Sequence, residues 1–218
     1  MPLRHVEDWV FDLDNTLYAA HHGLLRSIED RICLFVQQEL TLPEGDAWAL
    51  QKNYYREFGA TLSGLILRHG IDPERYLAFV NDVDLKLVPD PYLTAGLQRL
   101  PGRRVVFTSN CGRHAERVLK LLGIDHLFDD ILDVRTADFA AKPMRAAYDA
   151  VLRRGAFAPH RAAMFDDMAV NLEIPASLGM TTVWLRETLP GPAKPDYVHF
   201  EAENLSDFLH AIDLTGPP

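Results

Sequence analysis

Three short apolar runs in this chain each stop on side chains able to hold a cation or a phosphate. Trp9-Val10-Phe11-Asp12-Leu13 delivers Asp12 and then Asp14, Arg104 to Thr108 ends on Thr108 with Ser109 next, and Arg161 to Phe165 runs into Asp166-Asp167. Short apolar runs bounded by turn residues read as buried strands. The helical patterns between them are Tyr92 to Leu100, His114 to Leu122 closed by Gly123, and Pro143 to Arg154. Strands alternating with helices predict a parallel sheet covered on both faces. Ligands in such sheets sit beyond the carboxyl ends of the strands, so the three polar strand ends are expected to meet in one cleft. Ile131 to Val134, Thr181 to Leu185 and Tyr197 to Phe200 read as further strands, and Ser206 to Ile212 as a last helix. Pro175 sits inside the short helix that runs to Leu178, which should make its first turn irregular.

The alternation is interrupted once. After the first run, Leu24 to Leu40, Ala47 to Phe58, Leu62 to Arg68 and Glu74 to Val80 all carry helical spacing, with breaks at 41–46 and 69–73. The reading is an α/β, Rossmann-like three-layer core of residues 1–17 and 89–218, with a helical cap of residues 18–88 inserted after the first strand.

Composition narrows the partners. A formal charge of -9 argues against binding a nucleic acid polymer, because that requires a basic surface that displaces counterions. A free nucleotide stays open, since a bound cation reverses the field locally. No apolar run is long enough to cross a bilayer, the N-terminus has no signal-peptide pattern, and two distant cysteines form neither a metal spacing nor a disulfide framework. A cytoplasmic protein is the expectation. Oligomeric state has no sequence signal here.

A lone Asp-x-Asp in an acidic protein is ordinarily a surface turn. Here Asp12 follows an apolar strand and a second acidic pair ends another. Close like charges need a cation or a proton between them, and Mg²⁺ takes oxygen ligands while keeping room for substrate phosphate. Thr108, with the backbone N–H groups of Ser109 and Asn110, is placed to donate to a phosphate, and Lys142 brings a positive charge to the same place. In the cap, Tyr54, Tyr55 and Phe58 have the chemistry to stack on a base and Asn53 to read its edge, although aromatics at helical spacing equally build a bundle core. Arg113 and His114 open the helix after Thr108, where a substrate contact and a plain helix terminus are both open. His21 and His22 read as surface residues near the cap hinge, and His69 as a favourable helix-end cation.

The order Asp12-x-Asp14, Thr108, Lys142-Pro143, Asp166-Asp167 resembles the haloacid dehalogenase-like hydrolase superfamily, and the cap position matches that family's first (C1) cap type. Resemblance implies that Asp12 attacks phosphorus and that Asp14 is the acid and base. It implies a Mg²⁺ ion held by Asp12, the Asp14 carbonyl and Asp166, with Asp167 nearby. Thr108 and Lys142 would hold the phosphoryl oxygens. Family dehalogenases lack an acid at the place of Asp14, so a phosphatase is expected. Phe11 to Tyr18, Asn53 to Gly59, Gly64-Leu65 with His69, and Lys120 to Ile124 are similar to the pyrimidine 5′-nucleotidase branch. Thr108-Ser109-Asn110 departs from it, Thr followed directly by Asn being the expected form. The implied partner is a small phosphorylated metabolite, foremost a nucleoside monophosphate, read by Asn53, Tyr54, Ser109, Asn110 and Arg113. A sugar-phosphate phosphatase, a phosphomutase and a non-catalytic binding protein are the alternatives.

Overall fold

The computed structural model describes residues 3–19, 23–186 and 193–214. Six parallel strands form one sheet in the order β3-β2-β1-β4-β5-β6. They are β1 (Asp8–Phe11), β2 (Arg103–Phe107), β3 (Asp130–Leu132), β4 (Ala162–Asp166), β5 (Thr181–Leu185) and β6 (Phe200–Ala202). Adjacent residues on the central strands alternate between two cores. Trp9, Phe11, Val106, Ala163 and Phe165 pack on one face, while Val10, Val105, Phe107 and Met164 pack on the other. A sheet buried on both sides explains why its strands are apolar throughout instead of alternating with polar residues. The ring of Phe11 stacks on that of Phe165 across the β1–β4 pair, 4.7 Å between centroids.

Helices α5 (Pro91–Gln98), α6 (Gly112–Leu122) and α9 (Leu205–Ala211) cover the first face, and α7 (Arg145–Gly155) with the short α8 (Glu173–Ser177) covers the second. Four helices intervene between β1 and α5: α1 (Leu24–Leu40), α2 (Glu44–Phe58), α3 (Thr61–His69) and α4 (Pro73–Val80). They pack on one another around Phe35, Val36, Ala47, Tyr54, Leu65 and Leu77, a third apolar cluster.

Some expected boundaries move. The last strand lies at Phe200–Ala202 instead of Tyr197 to Phe200, because residues 195–198 form a turn closed by the Val198 N–H donating to the Pro195 carbonyl at 3.0 Å. Helix α7 begins at Arg145, two residues after Pro143. Pro175 does accompany an irregular start, a 3₁₀ turn over Ala169–Leu172 that runs into α8. His21 and His22 lie outside the described residues, and no described helix is long and apolar enough to cross a membrane.

Candidate active site

The chain order runs β1-β2-β3 to one side of β1 and β4-β5-β6 to the other, so the topological switch falls at β1. A crevice opens at the carboxyl ends of strands around such a point. Asp12 continues the ladder one step past β1, its N–H donating to the Phe165 carbonyl at 2.9 Å. Thr108 does the same past β2, donating to the Leu132 carbonyl at 3.1 Å. Asp166 is the last residue of β4. The ladder hydrogen bonds therefore aim all three side chains into one place.

Lys142 arrives there from the loop before α7. Its ammonium donates to Asp12 Oδ1 at 2.6 Å, Asp166 Oδ2 at 2.7 Å and the Phe107 carbonyl at 3.1 Å. Three acceptors use all three N–H bonds of an ammonium. In this arrangement Lys142 offsets buried carboxylates and has no hydrogen left for a phosphoryl oxygen. Asp166, fully buried, is held by its other oxygen as well, which accepts from the Met168 N–H at 2.9 Å and from Asn171 Nδ2 at 2.8 Å.

Burial pushes the Asp12 carboxyl well above its ordinary range; Lys142 opposes that, and Asp166, Asp167 and Asp14 add to it. Asp167 is pushed up to about 6, first by burial and then by Asp166, against the Asn15 hydrogen bond at 3.2 Å. Ligand oxygens of Asp12, Asp166 and Asp167 lie within 4.8 Å of one another. A hard-oxygen donor set in which two carboxyls are held above their ordinary range by burial and like charge suits a divalent ion such as Mg²⁺.

Asp14 is governed differently. Burial alone would raise its pKa, but the hydrogen bond and charge of His114 and the hydrogen bond from the Tyr18 hydroxyl outweigh it, and the carboxyl lies below its ordinary value. His114 Nε2 is 3.3 Å from Asp14 Oδ1, and Tyr18 donates to the same oxygen. Thr108 Oγ1 accepts from the Asn110 N–H at 3.0 Å, which leaves its own hydrogen to donate. Ser109 Oγ accepts from the Lys142 N–H at 3.2 Å. The Asn110 side-chain oxygen accepts from Cys111 N–H and from Asn81 Nδ2, each at 2.8 Å. The amide NH₂ of Asn110 is thereby the end not tied down by these two donors.

These residues floor a cavity of about 910 Å³ whose opposite wall is made by α1 and α2. Asp12, Asp14, Thr108, Ser109, Asn110, Lys142 and Asp167 all line it. Three expected substrate contacts do not. Tyr54 packs in the core of the helical insertion and bonds His69 Nε2 through its hydroxyl at 2.7 Å, because Gly64 on α3 leaves room for its ring. Asn53 and Arg113 are exposed on helix faces turned from the cavity. The cavity wall presents Trp48, Gln51, Lys52, Tyr55 and Arg56 instead, one face of α2. Gln51 is buried, and its Oε1 has no hydrogen-bond partner among the described residues. Of the cap aromatics with the chemistry to stack on a base, Tyr55 does face the cavity. Nothing in the sequence singled out Trp48, Asn171 or the pairing of His114 with Asp14.

The fold and its buried carboxylate–lysine centre define a Rossmann-like α/β protein with an acidic site suited to a divalent cation. The model for haloacid dehalogenase-like hydrolases matches residues 10–179, and the chain belongs to that family. Phosphate metabolism protein 8 of Saccharomyces cerevisiae is 30% identical over 196 residues, an alignment covering 82% of this chain and 60% of the yeast protein. The chain thus spans about 60% of the length of that curated relative. Among solved structures, the HAD-hydrolase YfnB of Bacillus subtilis, bound to magnesium, is 16% identical with a TM-score of 0.61, covering 94% of this chain and 97% of its own. L-2-haloacid dehalogenase of Xanthobacter autotrophicus is 14% identical with a TM-score of 0.60 and the same coverage. At these identities the two structures speak for the fold.

Proposed function

We propose that this chain is a Mg²⁺-dependent phosphomonoester hydrolase working through an aspartyl phosphate on Asp12. The observation that carries the reading is Asp12 itself, a buried carboxylate at the cavity floor bonded to Lys142 at 2.6 Å, with Asp14 lining the same cavity. In the first half-reaction a carboxylate oxygen of Asp12 attacks phosphorus, the ester P–O bond breaks, and Asp14 gives a proton to the leaving oxygen. In the second, Asp14 takes a proton from water as its oxygen attacks phosphorus, and phosphate leaves with Asp12 regenerated. An ionised Asp14 suits the second step. The negative charge of an arriving phosphate raises its pKa and favours the protonated form that the first step uses. Asp12, Asp166, Asp167 and the Asp14 carbonyl would hold Mg²⁺, which when bound neutralises phosphoryl charge. Thr108, the Ser109 N–H and the side-chain NH₂ of Asn110 would cradle the phosphoryl oxygens.

The favoured substrate is a nucleoside 5′-monophosphate. Trp48 and Tyr55 on the cavity wall support this reading, in place of Tyr54, as faces on which a base can stack. The name of the yeast relative, which refers to phosphate metabolism, agrees with the broader phosphatase reading. Residues 18–88 would act as the cap over a core of 1–17 and 89–218, and the free thiols of Cys33 and Cys111 favour a cytoplasmic setting. The test is phosphate release from nucleoside monophosphates and sugar phosphates with Mg²⁺ present. Nucleotides should be turned over fastest, and Asp12→Asn should release no phosphate. Activity surviving in that variant would overturn the nucleophile, and a preference for sugar phosphates would overturn the nucleotide.

A further inference from the structure

Helices α1 to α4 and the segment leading to α5 carry seven lysines and arginines between residues 23 and 88. Five are spoken for: Arg26 pairs with Asp30, Arg31 with Asp82, Arg68 with Glu57, Arg75 with Glu39, and Lys86 with Asp84. Lys52 and Arg56 alone have no ion pair or hydrogen bond among the described residues, and both line the cavity. They stand four apart on α2, where like charges repel and cost the helix a few tenths of a kcal/mol. Arg26 also lines the cavity but is paired with Asp30 and stacked over Trp48; of the cations at the cavity wall, Lys52 and Arg56 are the two left for something that enters. Glu29, the acid on the same wall, forms no ion pair with either.

The cavity floor already receives a phosphate ester without them. Lys142, the Asp12–Asp166–Asp167 cluster and the strand-end donors are all on the core side, and α2 forms the opposite wall. A volume of about 910 Å³ is many times what a phosphoryl group fills, and lies within the range of pockets that enclose whole small molecules.

We infer that Lys52 and Arg56 form a second anion subsite, so that on a given scaffold the phosphomonoester whose leaving group carries a further phosphate or carboxylate is preferred to the one that lacks it. This rests on the phosphomonoesterase reading but not on the nucleoside. Charged hydrogen bonds to such a group select between otherwise similar substrates.

Two matched pairs test it and separate the two sources of the anion. One compares uridine 3′,5′-bisphosphate with uridine 5′-monophosphate, the other 2-phosphoglycolate with 2-hydroxyethyl phosphate. In at least one pair, kcat/KM should favour the doubly anionic member by about tenfold or more, equivalent to about 1.4 kcal/mol. In the Lys52→Gln/Arg56→Gln double variant that ratio should fall toward one. A wild-type ratio near one in both pairs, or a ratio unchanged by the double variant, overturns the subsite. Calorimetric titration of Asp12→Asn protein with the same four compounds reads the preference without turnover. A preference for the doubly anionic member there, with no ester hydrolysed by the wild type, would overturn the hydrolase reading and uphold the subsite. Equal Kd values within both pairs would overturn the subsite.

Discussion

At the scale of single residues, the site is a problem in packing negative charge. Asp12, Asp166 and Asp167 crowd within 4.8 Å, and one ammonium, Lys142, spans the first two at 2.6 and 2.7 Å. Asp167 bonds Asn15 and receives no ammonium hydrogen bond, and its pKa of about 6 follows from burial and from Asp166. Between its ordinary value of 3.8 and about 6 the folded chain holds a proton on this group that the unfolded chain has lost. Without divalent ion, stability from this group is therefore fully present below pH 3.8 and is lost as pH rises through about 6. A bound cation requires the ionised form, so apparent Mg²⁺ affinity should climb with pH through the same region. Calorimetric Mg²⁺ titrations from pH 5 to 8 should show this rise, and Asp167→Asn should flatten it. A rise that persists in the variant would assign the proton to another ligand.

At the scale of elements, Gly59 shows how the insertion is seated. It ends α2 at φ 79°, and a Cβ there would lie 2.5 Å from the backbone carbonyl oxygen of Lys142. Gly70 ends α3 in a similar left-handed turn, φ 62°, with nothing within 4 Å of the Cβ position. Gly70→Ala should cost about 1 kcal/mol, the left-handed strain alone. Gly59→Ala should cost at least about 1 kcal/mol more, because backbone must move as well, and it should lower kcat by displacing Lys142. Equal losses of stability in urea titrations of the two variants would deny the close approach. The glycine was legible in the sequence as part of a motif, but its reason was not, since nothing local says which loop will lie against it. The same gap explains Tyr54 and Tyr55. Both are tyrosines on one helix, one residue and about 100° apart, and periodicity cannot say which faces the partner helix until Gly64 is seen beneath the Tyr54 ring. The sheet was easier. Strands buried on both faces announce themselves as apolar runs, and the residues that end them, Asp12, Thr108 and Asp166, were found where the runs stopped. The first apolar run extends two residues beyond the end of β1 because Leu13 is also fully buried, although the chain has already left the strand.

At the scale of the whole molecule, the insertion meets the core through a set of polar contacts, among them the Arg117 guanidinium donating to the Asn81 and Val83 carbonyls at 2.9 and 3.1 Å. Ser63 Oγ donates to the Phe139 carbonyl at 2.8 Å, Asn81 Nδ2 reaches Asn110 Oδ1 at 2.8 Å, and Glu74 on α4 takes a two-pronged bond from Arg135, Nε at 2.7 Å and Nη2 at 2.6 Å. Arg135 is anchored on the core side independently, donating to Asp133 at 2.7 Å, and Asp133 in turn holds the Gly112 N–H at the start of α6. Glu74→Gln therefore weakens the clasp without releasing Arg135. The carboxylate is 57% exposed, and exposed pairs contribute about 0–1 kcal/mol, so global stability should change little. If the cavity opens by separation of α4 from the core, the same energy biases the balance between closed and open directly. We expect kcat/KM to fall by up to about fivefold, the factor that 1 kcal/mol represents. The difference from wild type should shrink at high salt, which screens the Glu74–Arg135 pair of the wild type, a pair the variant lacks. Steady-state kinetics of both proteins at low and high ionic strength decide it. A deficit that salt leaves unchanged would mean that Glu74 acts through the packing of α4 and not through its charge on Arg135.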